Sequence, residues 1–95
     1  GVISVIANGY PKEFTSMVHL ALKGNFAEAT SLLCGFARIN NMLYEESNPV
    51  GIKEVLKNKG ICKNKVRLPL LSASPDLGDR IALEHEVLEE YYAII

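Results

Sequence analysis

Apolar and polar residues along the chain fall into one short unbroken run followed by stretches of helical spacing. Gly1-Val2-Ile3-Ser4-Val5-Ile6-Ala7 is a β-branched run with a single small polar residue. A strand with one wet face alternates; a near-continuous apolar run predicts a strand buried on both faces, as in a parallel sheet wrapped by helices. Such a strand needs neighbours on both sides, and no second run of that quality follows it. The expectation is that the chain, which opens without methionine, is the C-terminal piece of a larger α/β protein, cut just before its last buried strand.

After Asn8-Gly9-Tyr10-Pro11, whose residues suit a turn, Phe14, Met17, Val18, Ala21 and Leu22 recur at three- and four-residue spacing. They predict an amphipathic helix with Pro11 in its first turn and Gly24 at its end. Asn25 and Glu28 then form an Asn variant of the capping box. The helix they open is predicted to run over 26–44, with Phe26, Ala29, Leu33, Phe36, Ala37 and Tyr44 on one stripe, and Leu32, Ile39, Met42 and Leu43 widening it. Asn48-Pro49 starts a short helix carrying Val50, Ile52, Val55 and Leu56, closed by Gly60. Residues 61–74 form an irregular connection whose Val66-Arg67-Leu68-Pro69-Leu70-Leu71 predicts an extended segment pinned on the helices. Ser74-Pro75-Asp76 opens the last helix with a cap, a proline and an acid where the helix dipole favours one. Its predicted apolar face is Leu77, Ile81, Leu88, Tyr91, Tyr92 and Ile95.

Composition narrows the function classes. The chain has 95 residues, 48% of them hydrophobic and 22% charged, with a net charge of −1. That balance gives no reason to expect a nucleic-acid or anionic-membrane partner, and no apolar run approaches the ~20 residues of a membrane span. Cys34 and Cys62 are far apart without partners at metal spacing, and are expected to be reduced, buried thiols of an intracellular, cytoplasmic protein.

Candidate chemistry is sparse. His19 and His85 lie in separate predicted helices with no ligand-spaced cysteine or carboxylate, so no metal site is expected. There is no Gly-x-Ser-x-Gly elbow, phosphate loop or dinucleotide fingerprint. Lys53, Lys57, Lys59, Lys63, Lys65 and Arg67 cluster around the short helix, whereas Asp76, Asp79, Glu84, Glu86, Glu89 and Glu90 lie on the last. The basic group lacks interleaved aromatics and reads as a solvated face, or one turned to the acidic helix within the protein or across an oligomer contact.

Three passages in order, Gly1-Val2-Ile3-Ser4-Val5-Ile6-Ala7-Asn8, Glu46-Ser47-Asn48-Pro49-Val50-Gly51-Ile52-Lys53 and Val66-Arg67-Leu68-Pro69-Leu70, resemble the C-terminal third of the dihydrodipicolinate synthase family. Ala21-Leu22-Lys23-Gly24-Asn25-Phe26-Ala27-Glu28-Ala29 is similar to the helix–turn–helix between the first two. The resemblance implies a (β/α)8 TIM barrel followed by a small helical domain. Residues 1–24 would be the final strand and helix of the barrel and 25–95 a three-helix C-terminal domain, so the fragment itself is mostly α.

It further implies a lyase of lysine and diaminopimelate biosynthesis. In that family a lysine on an earlier strand forms a Schiff base with pyruvate, an earlier tyrosine relays protons, and the resulting enamine attacks aspartate semialdehyde. No cofactor is expected, and the parent would be a homotetramer. None of the catalytic residues falls in this chain, which alone should be inactive; Lys12, Lys23 and the basic cluster sit on predicted helices or loops. One site position carries over: Ile3 matches the strand residue whose main-chain carbonyl faces the pyruvate, a substrate-binding role. Ile6 and Gly9-Tyr10 depart from the family's usual threonine and apolar pair, close to the barrel mouth. The alternatives are a related pyruvate-dependent lyase, of sialic-acid lyase or keto-sugar-acid aldolase type, and a self-standing helical interaction module whose opening strand augments a partner's sheet.

Overall fold

A computed structural model of the chain describes residues 1–94 and is helical throughout its regular parts. Six helices follow in order: α1 (Ile6–Gly9), α2 (Pro11–Leu22), α3 (Phe26–Gly35), α4 (Ala37–Met42), α5 (Val50–Asn58) and α6 (Pro75–Ile94). Helices α2 and α3 pack as a pair, while α6 lies against α5, α4 and α3. The result is elongated, 43 × 28 × 21 Å.

The expected opening strand is not formed among the described residues. Gly1–Ser4 have no regular structure, and the chain turns into α1 at Ile6. A strand satisfies its main chain only through neighbours, and the described residues supply none. Local bonds take over instead: the Ala7 N–H donates to Ser4 Oγ at 3.2 Å and the Asn8 N–H to the Val5 carbonyl at 3.0 Å.

Several predicted boundaries coincide with the structure. Pro11 opens α2, and Gly24 and Gly60 take positive φ (85° and 74°) just beyond α2 and α5, the left-handed position where a side chain would be strained. Ser74 caps α6, its Oγ accepting the Leu77 N–H at 3.2 Å. The Asn25 capping box is not made: Asn25 occupies the N-cap of α3, but its side chain makes no cap bond. Likewise α5 begins at Val50, one residue after Pro49, without a side-chain cap.

The single helix expected over 26–44 is broken at Phe36, and α6 supplies the reason. Tyr91 Oη donates to the Ser31 carbonyl at 2.6 Å and Tyr92 Oη to the Leu32 carbonyl at 2.8 Å. Those oxygens belong to the last turn of α3, and side chains entering that ladder end or kink a helix. The Phe36 N–H bonds the Leu33 carbonyl instead, three residues back. Gly35 lets the tyrosines in, since a Cβ there would lie 2.5 Å from Tyr92 Oη.

The core is built around α6. Leu77, Ile81 and Leu88 are fully buried with Phe36, Ile39, Leu43, Ile52 and Val55, joined by Ile6 and Tyr10 from the opening turn. Burying each aliphatic side chain contributes roughly 1.5–3 kcal/mol. Ile95, the last residue expected on this face, lies outside the described residues. The connection after α5 is held in part by polar ties: Val66 and Leu70 are half-buried, whereas Leu68 is 83% and Leu71 74% exposed. Asn64 Nδ2 donates to Glu54 Oε1, Ser72 Oγ to the Asn64 carbonyl, and Ser74 bonds Glu46 through its N–H and hydroxyl. Cys34 and Cys62 are exposed free thiols rather than buried ones, because their helix face and loop turn away from the core.

Helix α5 approaches the chain at Leu43 so closely that a Cβ on Gly51 would lie 2.5 Å from Leu43 Cα and its carbonyl oxygen, whereas one on Gly78 meets only the Glu54 side chain at 3.5 Å. Gly51→Ala is expected to cost about 1–3 kcal/mol, the range for overpacking. Gly78→Ala is expected to be neutral or to gain up to about 1 kcal/mol of helix propensity. Urea denaturation midpoints check the pair; equal shifts in both variants would contradict the close approach.

Candidate functional site

Ile3, the one expected site residue, lies in the irregular opening segment with its side chain fully exposed. No other expected chemistry converges on it. Among the described residues no group of three or more histidine, cysteine or carboxylate side chains is placed to hold a metal ion. Likewise, no described helix is long and apolar enough to cross a membrane. Lys12 and Lys23 are exposed on α2 and at its end.

Among the described residues the basic cluster makes no ion pair with α6, although Lys57 lines a cavity with Asp79. Among the described residues its one ion pair is within α5, Lys57 to Glu54 at 4.0 Å. Lys59 leaves the cluster altogether: its Nζ donates to the Gly9 carbonyl and lies 4.7 Å from the centre of the Tyr10 ring. The acids of α6 pair elsewhere, Glu84 with Arg38 at 3.9 Å and Glu89 with His85 at 3.3 Å.

A polar constellation that the sequence analysis did not single out joins Tyr10 to His85. Tyr10 Oη and His85 Nδ1 are 2.7 Å apart across 75 residues of sequence. The other ring nitrogen of His85, Nε2, lies 3.3 Å from a carboxylate oxygen of Glu89. Burial pushes the Tyr10 phenol well above its ordinary pKa, with Glu89, Glu13 and Glu84 adding to the effect. Burial does the same to Tyr92, helped by Glu13 and the two neighbouring phenols. Tyr10, Glu13, Glu89 and Tyr92 line a cavity of about 220 Å³. With both phenols held neutral and His85 Nδ1 bonded to Tyr10, the cluster is suited to positioning a main chain. The sequence signal available for it was the His85–Glu89 spacing of one helical turn; Tyr10 carried none.

Two further features complete the surface. Met17, Val18, Leu22, Phe26 and Leu33 line an apolar groove of about 410 Å³ between α2 and α3. Arg80 makes a bidentate pair with Glu45, both contacts at 2.8 Å, and reaches Asp76 at 3.0 Å. Hydrogen bonding to Arg80 holds the Glu45 carboxyl below its ordinary pKa, and the same bonds, with those to Asp76, raise the guanidinium.

Among the described residues, then, a helical body follows a β-branched opening segment that forms no strand. The sequence model of the Dihydrodipicolinate synthetase family matches residues 1–85. A 4-hydroxy-tetrahydrodipicolinate synthase of Cytophaga hutchinsonii is 43% identical over 93 residues, covering 98% of this chain and 31% of the relative. One from Flavobacterium psychrophilum is 47% identical over 83 residues, 87% of this chain and 28% of the relative. A third, from Citrifermentans bemidjiense, is 39% identical over 94 residues, 99% and 31% respectively. The chain belongs to the dihydrodipicolinate synthetase family. It spans less than a third of the length of each of these relatives.

The Arg80 pair gives a pH prediction. A carboxyl whose folded pKa lies below its unfolded value of ~4.3 contributes stability above that value and loses it as pH falls through the folded pKa. Glu45 is therefore expected to titrate below the ordinary glutamate value when followed by NMR, and Arg80→Gln should move it back up toward that value. An unshifted Glu45 in the unaltered chain would contradict the pairing.

Proposed function

We propose that this chain is the C-terminal third of a lysine-dependent pyruvate lyase of the 4-hydroxy-tetrahydrodipicolinate synthase type. The observation that carries the reading is the match to the family from the first residue through 85, with relatives of that printed name at 39–47% identity over most of the chain. In this reading residues 1–24 complete the final strand and helix of a (β/α)8 barrel, and residues 25–95 form the helical domain appended to it. The exposed Val2 and Ile3 and the absence of any described strand fit a segment whose sheet partners lie elsewhere.

The chemistry follows from an amine nucleophile outside this chain. Its ε-amino group condenses with the keto carbonyl of pyruvate and water leaves. The iminium then acts as an electron sink, so that the methyl group loses a proton to give an enamine. The enamine carbon attacks the aldehyde of aspartate semialdehyde, the first committed carbon–carbon bond of lysine and diaminopimelate biosynthesis. Ile3 contributes its main-chain carbonyl as a fixed acceptor facing the pyruvate, at the C-terminal end of a strand where such barrels place their sites. The protein is cytoplasmic and assembles as a homotetramer, and the 95-residue chain alone is inactive because it holds no Schiff-base lysine.

Borohydride reduction in the presence of pyruvate, read by intact mass, tests this. The 95-residue chain is expected to gain no adduct. The complete product of the same reading frame is expected to gain one reduced pyruvate, on a lysine outside these residues, and to consume aspartate semialdehyde when both substrates are supplied. A stoichiometric adduct on the short chain, or none on the complete product, would overturn the reading.

A further inference from the structure

The turn between the opening segment and the helices is held by residues from the far end of the chain. Helix α1 spans four residues, far below the length at which a helix stands by itself in water. Its conformation is therefore set from outside. Three contacts do so. Gly9 packs so closely on α5 that a Cβ would lie 2.9 Å from Val55 Cγ1. Lys59, just beyond α5, donates to the Gly9 carbonyl. Tyr10, only 2% exposed, places its ring 5.8 Å from the rings of Phe36 and His85 and its hydroxyl on His85 Nδ1. Glu89, one turn further along α6, holds the other side of the imidazole at 3.3 Å. Among the described residues the hydroxyl–imidazole bond is the polar link from α6 to the end of this turn.

We propose that Tyr10 and His85 form a positioning latch, through which α6 fixes the turn Ile6–Gly9 and with it the placement of the opening segment that carries Ile3. Neither side chain would touch substrate. Glu89 lies 3.3 Å from the far ring nitrogen, and Lys59 secures the Gly9 carbonyl beside Tyr10. The catalytic consequence of the latch rests on the function proposed above; the latch itself does not, and it is tested on the 95-residue chain.

The readout is site-resolved amide hydrogen exchange, comparing Asn8 and Tyr10, whose N–H groups bond the Val5 and Ile6 carbonyls within the turn, with Val55 in α5. Tyr10→Phe removes the hydroxyl and keeps the ring. It is expected to speed exchange at Asn8 and Tyr10 roughly three- to tenfold, the span for loss of one net hydrogen bond, with Val55 unchanged. His85→Leu should do the same, and His85→Gln, which retains an acceptor, should restore slow exchange. The proposal is overturned by unchanged exchange at Asn8 and Tyr10, by acceleration at Val55 to the same degree, or by equal behaviour of the Gln and Leu variants. Because no substrate is involved, failure of the latch and failure of the aldolase reading are separate results.

Discussion

Everything else in this structure depends on one helix being covered along its length by three others. Leu77, Ile81 and Leu88 of α6 are buried to within about a percent of completely, and α3, α4 and α5 all take their places against that stripe. The stripe also sets the polar architecture. Glu84, inside it, is buried and reaches Arg38. Tyr91 and Tyr92, at its end, bond the carbonyls of α3 and break what would have been one long helix. Removing one of these aliphatic side chains to alanine falls in the class that costs about 2–5 kcal/mol, a large part of the stability of a domain this size.

The opening segment answers to a different constraint. Its β-branched residues favour a pleated, half-buried surface, yet no described strand lies beside it, and its first three residues are exposed. The chain resolves the conflict within a few residues, turning at Ser4 and docking Ile6 and Tyr10 into the core of the helices. A local preference that disagrees with the surrounding structure is expected at functional or strained sites. The chain itself spans less than a third of the length of the relatives it matches.

Much of the helical part was legible because its signals are local. Proline at the start of α2, serine at the cap of α6 and glycines at positive φ after α2 and α5 each act within a turn of chain. The spacing of Leu77, Ile81 and Leu88 reports burial directly. What was not legible came from contacts distant in sequence. The break at Phe36 depends on two hydroxyls 60 positions from the carbonyls they bond, and the Tyr10–His85 bond spans 75. Asn25 and Glu28 had the letters of a capping box without forming one, and the cysteines carried a burial expectation that their positions in the fold do not meet. The candidate site was readable only through resemblance, because a main-chain carbonyl such as that of Ile3 leaves no mark in a side-chain pattern.

Backbone chemical shifts of the 95-residue chain in solution test most directly whether helices organised on α6, rather than a strand, define it. Helical shifts over 75–94, an interruption at Phe36 and irregular values over Gly1–Ser4 are the expected result. Strand shifts with cross-strand contacts over residues 1–7, or one uninterrupted helix through 26–44, would contradict the account.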